Sequence, residues 1–179
     1  TTRTTHAQDE ARGISSGRMS SGRGGTLRHV PTTKTEHAAQ HTTHIDVDFP
    51  TRTGRAGGAG GGARAPALAY IRFRNYYARS VTVRQLMTPP AGPPAAARWS
   101  TLLADYQLMR SSHHEDDAQA WHVLCVPDDF RRGAFYPGSL TRLRFEVSQP
   151  SAMWNTFSLR HIECFELCGT GGGSGAGGR

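Results

Sequence analysis

The residues that could perform chemistry in this 179-residue chain form two small groups. His113-His-Glu-Asp-Asp117 brings imidazoles and carboxylates together, a set that can bind a divalent metal ion, but a polar surface loop has the same composition. Cys164-x-x-x-Cys168 has no second cysteine pair to complete a structural zinc site. His122 and His161 lie within strand-like segments and are interpreted as structural. We therefore predict neither a metal ion nor a cofactor.

Catalytic motifs are not found either. The sequence contains no Gly-x-Ser-x-Gly elbow. The glycines at 57–62 lead into Ala63-Arg-Ala-Pro66 and then a strand, whereas a phosphate-binding loop leads into a helix whose positive end holds the phosphate. ATP-dependent ligases place lysines on the phosphates, and Lys34 is the only lysine. These observations predict a protein that is not an enzyme.

Arginine dominates the charge of the chain, whose formal net charge is +7 at pH 7. The excess lies in residues 1–43 and in residues 50–67, where Arg52, Arg55 and Arg64 have no accompanying acid. Such basic segments are attracted to acidic partners through a screened, long-range field. The partner could be nucleic acid, a membrane surface or an acidic protein, and charge alone does not choose among them.

The three cysteines and the apolar runs bear on cellular location. An odd number of cysteines without a preceding secretory signal predicts an intracellular, reduced protein without a disulfide framework. No apolar run approaches the roughly 20 residues that span a bilayer. We expect a cytoplasmic protein that does not bind membranes.

Alternation of apolar and polar residues indicates the elements of the folded part. Ile71 and Phe73 alternate with Arg72 and Arg74, and further segments show the same period, which is typical of strands with one buried face. The predicted strands cover 44–49, 69–74, 81–84, 98–103, 120–126, 141–147 and 157–167. The segment 120–126 is apolar on both faces and predicts a strand covered on both sides, and 157–167 predicts a bulge near Arg160-His161. With no long helix, the pattern favours an all-β antiparallel β-sandwich or jelly roll over a smaller barrel.

Composition divides the chain into three parts. Residues 1–43 are rich in Thr, Ser, Gly, Arg and His and predict a low-complexity basic tail that is disordered or becomes ordered on a partner, with a possible short helix over Glu36–His41. Residues 44–168 predict the β-sandwich domain, interrupted by a Gly/Arg-rich loop at 50–67. Residues 169–179 predict a glycine-rich C-terminal linker.

Several motifs together resemble the nicolin family. Their order and spacing hold over roughly 68–166. They are Phe73-Arg-Asn-Tyr-Tyr77, Val81-x-Val-Arg-Gln85, Trp99-x-x-x-Leu103-x-Asp-Tyr-x-Leu-Met109, Leu143-x-Phe145-x-Val147-x-Gln-Pro-Ser151, Trp154 and Phe157-x-Leu-x-x-Ile-Glu163.

The resemblance implies a galactose-binding-like β-sandwich and a microtubule-linked setting. The family's nicolin is a non-catalytic subunit of the tubulin polyglutamylase complex, tied to microtubules, cilia and flagella. This chain departs from the family in its basic tail, in the loop at 50–67 and in its glycine-rich end. The resemblance therefore supports fold and cellular setting better than membership of the same complex.

The leading hypothesis is a non-enzymatic structural subunit of a microtubule-based ciliary or flagellar assembly, located on the axonemal cytoskeleton. Its partners would be tubulin and other axonemal proteins within a large complex. The alternatives are an accessory subunit of a tubulin polyglutamylase complex, or a glycan- or RNA-binding module. Nucleic acid is not the expected partner, since Gly22-Arg-Gly-Gly25 is a single RGG-like copy. The candidate partner-binding residues are Arg52, Arg55, Arg64, Arg72, Arg74, Arg84, Tyr76 and Tyr77, with Arg72, Arg74 and Arg84 expected on one outward face.

Overall fold

The computed structural model describes residues 26–38, 42–50, 65–87 and 97–168. Within them lie nine strands and one short 3-10 turn at Pro137–Ser139. The strands are β1 (Thr26–Val30), β2 (Thr33–Ala38), β3 (Thr42–Asp48), β4 (Leu68–Tyr76), β5 (Ser80–Met87), β6 (Arg98–Gln107), β7 (Trp121–Cys125), β8 (Arg142–Ser148) and β9 (Ser158–Cys168). None of the helical structure in these ranges has the length and apolar character that a membrane crossing requires.

The strands form two sheets in which every pairing is antiparallel. Sheet A has the order β1-β9-β4-β7, and sheet B has the order β2-β3-β8-β5-β6. The predicted all-β antiparallel sandwich is confirmed. In sheet A, β1 and β9, the first and last of the described strands in sequence, are direct neighbours.

The core lies between the two sheets, where the alternation in the sequence predicts it. Phe73 of sheet A meets Phe145 of sheet B edge to face, with ring centroids 6.2 Å apart. Both side chains are fully buried, as are Ile71 and Val83. Burying each large apolar side chain stabilises the fold by roughly 1.5–3 kcal/mol. The apolar face of each strand therefore fixes which side chains remain for the surface.

A buried asparagine turns the chain from sheet A into sheet B. Asn75 donates its side-chain amide to the carbonyl of Ala78 at 3.0 Å and accepts from the N–H of Ala78 at 3.0 Å. Tyr77, inside this turn, has φ 57°, a left-handed conformation that is uncommon outside glycine. As a result β4 and β5, which are adjacent in sequence, belong to different sheets and do not pair.

The predicted tail of residues 1–43 is wrong for its described part. Residues 26–30 and 33–38 form β1 and β2, which pair with β9 and β3 at the edges of the two sheets, and the predicted helix over Glu36–His41 is replaced by strand where it is described. Every residue of β2 is exposed and only Val30 of β1 is buried, so these strands are held by backbone pairing and carry no apolar pattern. Residues 1–25, 39–41, 51–64, 88–96 and 169–179 lie outside the described residues.

Two strand expectations had opposite outcomes. The expected coverage of 120–126 on both sides is wrong, since β7 is an edge of sheet A and Trp121 and Val123 are 40% and 41% exposed. The predicted bulge near Arg160-His161 is confirmed. His161 has φ 52°, and the register between β4 and β9 shifts at this point.

Candidate interaction surface

Rows of side chains cross the outer face of sheet A, because directly paired residues on neighbouring strands share a face. In each row the members come from β9, β4 and β7. The rows are Arg160–Arg74–Trp121, Glu163–Arg72–Val123 and Phe165–Tyr70–Cys125. The rows differ in net charge, and the candidate site is chosen on that difference.

The middle row is internally neutral. Arg72 donates through Nε and Nη2 to Glu163 Oε2 at 2.9 and 2.6 Å. The guanidinium carbon of Arg72 also lies 4.9 Å from the centre of the Trp121 ring. Both members of this pair are partly exposed, so the pair fixes side-chain positions more than it stabilises the fold.

The first row is cationic. Arg74 donates to the backbone carbonyl and to the side-chain oxygen of Gln119, at 3.1 and 2.9 Å. Its partner Arg160 places its guanidinium carbon 3.2 Å from the centre of the Tyr76 ring. Within the described part of the chain, neither arginine forms an ion pair. An amide and an aromatic ring orient these two cations and leave their charge uncompensated.

The bulge in β9 enlarges this row. It leaves both Arg160 and His161 exposed, and the His161 ring lies 5.9 Å from the Trp121 ring. We call the set Arg74, Tyr76, Trp121, Arg160 and His161 the arginine–aromatic surface. It combines the exposed Arg160 and the half-buried Arg74 with aromatic rings and has no carboxylate among its members, a composition that suits an acidic partner.

The outer face of sheet B has arginines too, but each is matched by an acid. Arg144 donates to both carboxylate oxygens of Asp46 at 2.7 and 2.8 Å, and this lowers the pKa of Asp46. Arg142 donates to Asp48 at 2.6 Å. The remaining pair, Arg84–Glu146, lies at 3.0 Å. This face is close to neutral, so the uncompensated positive charge of the two described sheet faces lies on sheet A.

The predicted binding residues are only partly brought together. Arg72, Arg74 and Tyr76 share the outer face of sheet A. Arg84 lies on sheet B, so the expectation of one common face is wrong for this residue: the chain changes sheets between β4 and β5. Arg52, Arg55 and Arg64 lie outside the described residues.

Tyr77 has a positional role. Its ring lies 4.6 Å from the Trp154 ring, and its hydroxyl accepts from Gln119 Nε2 at 3.3 Å. Gln119 is the residue that also holds Arg74. Tyr77 therefore helps to position Arg74 of the arginine–aromatic surface, through Gln119.

Sequence reasoning missed Arg160, His161 and Trp121 as surface residues. A signal existed for the first two, since a bulge in a strand turns consecutive side chains to one face. For Trp121 the apolar character of 120–126 indicated burial, and only the strand order shows that it lies at an edge.

Several residues of the motifs that carry the family resemblance form hydrogen bonds to the backbone of loops. Gln149 donates to the backbone carbonyl of Tyr77, and Trp154 Nε1 donates to the carbonyl of Ser112 at 2.7 Å. Gln85 donates to the carbonyl of Tyr136 at 2.7 Å and accepts from its N–H at 3.0 Å. Because the side chains of Gln85 and Gln149 are fully buried, these bonds anchor loops to the sandwich.

A concavity lies in the turns before β7. It has a volume of about 240 Å³ and is lined by Arg110, Ser111, His114, Asp116 and Asp117. Asp117 accepts from the N–H of Arg110 at 3.4 Å. In the described ranges, no group of three or more His, Cys, Asp or Glu side chains is placed to hold a metal ion.

Comparison with known proteins shows similarity to a curated relative. It is similar to mouse Nicolin-1, with 30% identity over 105 residues, which cover 55% of this chain and 44% of that protein. The chain therefore spans less than half the length of this relative. No family model matches the sequence.

Two solved structures of XRCC1 have partial geometric likeness to the sandwich. One is the crystal structure of reduced XRCC1 bound to the DNA polymerase β catalytic domain, with a TM-score of 0.49, 15% identity, and coverage of 69% of this chain and 72% of that chain. The other is the solution structure of the N-terminal domain of the single-strand break repair protein XRCC1, with a TM-score of 0.46, 13% identity, and coverage of 80% and 99%.

Proposed function

We propose that this chain is a non-enzymatic β-sandwich subunit that binds acidic protein partners in a microtubule-based ciliary assembly. The single observation that carries the proposal is the row Arg160–Arg74–Trp121, in which an exposed and a half-buried arginine lie side by side without a carboxylate. The similarity to Nicolin-1 and the nicolin-like motifs support the cellular setting.

Electrostatics explains why such a row favours an acidic partner. Like charges directly opposite on adjacent strands destabilise a sheet, and an incoming carboxylate between Arg74 and Arg160 would convert that repulsion into two attractions. Guanidinium groups also bind carboxylates through two parallel hydrogen bonds. Tubulin surfaces and their glutamate-rich tails are strongly acidic, which makes microtubules the first partner to test.

Co-sedimentation of the full chain with microtubules tests the proposal. The double variant Arg74→Gln/Arg160→Gln is expected to bind at least about tenfold more weakly, since each charge-assisted hydrogen bond contributes roughly 1.5–3 kcal/mol. The matched control is Arg84→Gln/Arg142→Gln, which removes the same charge from the outer face of sheet B and should bind as the wild type does. Equal binding of both double variants at low and moderate salt would refute the role of this surface.

The alternative, an accessory polyglutamylase subunit, predicts different binding partners in the cell. Affinity purification of the tagged full chain is expected to recover axonemal structural proteins under the leading proposal. Recovery of tubulin ligase subunits in stoichiometric amounts, without axonemal structural proteins, would favour the alternative. Microtubules whose acidic tails have been removed by proteolysis would then show whether the contact is with the tails or with the tubulin body.

A further inference from the structure

The strand β7 presents an open edge. Within the described residues it pairs with β4 alone. Ala120 accepts from the N–H of Asn75, and Val126 donates to the carbonyl of Ala69, both at 2.8 Å. In an antiparallel pair, alternate residues face the partner strand. The even-numbered residues of β7 therefore bond to β4, and the backbone groups of Trp121 and Val123 point away from it.

At one end of this edge, the outward backbone groups already have hydrogen-bond partners in the chain itself. The outward N–H of Cys125 donates to Asp129 Oδ2 at 2.6 Å, and the carbonyl of Cys125 accepts from the N–H of Asp129 at 2.9 Å. Among the residues that the structure describes, this leaves the N–H and C=O groups of Trp121 and Val123 available for another strand.

The side chains at this edge are those of an interface. Trp121 and Val123 are the two large apolar residues of β7 that remain exposed. Exposed edges are ordinarily protected by charged residues, proline or bulges, and Trp121–Cys125 contains no such residue apart from the inward-facing His122. By contrast, β6 at the edge of sheet B is covered at its carbonyl of Leu102, which accepts from the N–H of Arg131 at 2.7 Å.

We infer that β7 accepts an extended segment of a partner protein as a fifth strand of sheet A. Main-chain hydrogen bonds to Trp121 and Val123 give the affinity, as in other cases of strand addition. The outer face of that segment carries an apolar side chain beside Val123 and, two residues away, a single glutamate beside Trp121.

The glutamate follows from the charge of the neighbouring row. An added strand lies two strand spacings, about 10 Å, from β4, a gap that a glutamate and an arginine side chain span together. Within the described ranges, Arg74 has Gln119 as its hydrogen-bond partner and forms no ion pair. A run of acids is disfavoured, because the turns on either side of β7 contain Glu115, Asp116 and Asp128. The segment therefore has one carboxylate between apolar residues.

This inference adds a binding mode to the proposed function and uses the arginine–aromatic surface only to select the glutamate. A failure of microtubule binding would leave the edge intact, and a failure of strand addition would leave the arginine row intact. The two are therefore separable by experiment.

Amide hydrogen exchange of the isotope-labelled full chain tests the inference directly. The probe is the blocked peptide Ser-Val-Thr-Glu-Thr-Val-Ser, which places valine, glutamate and valine on one face. Saturating peptide should slow exchange at Trp121 and Val123 by about tenfold or more, with no change at His122 and Leu124, whose amides already bond to β4. The matched peptide with glutamine should protect the same two amides at higher concentration only.

The variant Val123→Pro provides a second test of the inference. It removes only the outward N–H, a position where an edge strand accepts proline. Val123→Thr keeps that N–H and is the control. The proline variant is expected to bind the peptide about five- to tenfold more weakly than the threonine variant. Unchanged exchange at Trp121 and Val123 of the wild type, up to the solubility limit of the peptide, overturns the inference whether or not the proline variant folds.

Discussion

Arg74 and Arg160 lie directly opposite each other on β4 and β9, although both are cationic. The next row on the same two strands has Arg72 opposite Glu163 instead. One sheet face therefore contains a repulsive and an attractive cross-strand pair in equivalent positions, and each is the control for the other.

A double-mutant cycle measures the repulsion. Replacing both Arg74 and Arg160 by Gln should lower the free energy of unfolding by about 0.2–1 kcal/mol more than the two single changes summed, because each single change already relieves the repulsion. The cycle on Arg72 and Glu163 should deviate with the opposite sign. Urea unfolding gives both values, and a coupling of the same sign in both cycles would contradict the assigned arrangement.

The imidazole of His122 makes the stability depend on pH. The ring stacks on Phe73 at a centroid distance of 5.5 Å, and its Nε2 has no hydrogen-bond partner among the described residues. Burial lowers the pKa of His122 from 6.5 to about 4. Between these two values the unfolded chain binds a proton that the folded chain does not, so stability falls as the pH falls from 6.5 to 4 and is unaffected by this group above 6.5.

His122→Phe tests that dependence. The ring stacking is retained and the titrating group is lost, so the variant should be free of up to about 3 kcal/mol of the destabilisation that the wild type undergoes over this range. Unfolding free energies measured at several pH values between 4 and 8 give the comparison. Parallel curves for the two proteins would show that His122 is not buried in its neutral form.

The bulge in β9 is tested at His161. Its φ of 52° disfavours any residue with a Cβ atom by roughly 1–2 kcal/mol. His161→Gly should therefore be more stable than His161→Ala, reversing the usual order of these two residues in a strand, where glycine costs about 0.5–1 kcal/mol. Thermal unfolding of the two variants is the measurement. The usual order would argue against a left-handed residue here.

Truncation distinguishes the described strands from the residues before them. Deleting residues 1–25 keeps both β1 and β2, and this shortened protein is the reference for the longer deletion. Deleting residues 1–43 removes both strands together with Thr42 and Thr43 of β3, and uncovers β9 and the rest of β3. This protein should therefore unfold at a lower temperature and self-associate. Size-exclusion chromatography and thermal unfolding decide the outcome.

The sequence predicted those parts of the fold in which one strand face is apolar. Ile71 and Phe73, or Leu143 and Phe145, alternate with arginines, and the buried face follows from that period alone. β2 was missed because its sequence Thr-Lys-Thr-Glu-His-Ala buries no side chain, so backbone pairing leaves no pattern to detect.

The candidate site depends on strand order, which local sequence does not encode. Arg74 and Arg84 have the same alternation in neighbouring strands, yet a buried side chain, Asn75, sends them to opposite faces of the molecule. Arg160 joins Arg74 from a strand that is distant in sequence. The arginine–aromatic surface therefore follows from the register of β4 and β9 and not from local sequence.

The pairing of β1 with β9 has a consequence for synthesis on the ribosome. Arg28 and Glu166, which form an ion pair across these strands, are 138 residues apart in the chain. β9 lies between β1 and β4, so neither of those strands has its β9 neighbour until β9 has been synthesised. Sheet A is therefore completed only after β9 has left the ribosome, and the long-range pairing is expected to make its folding slow.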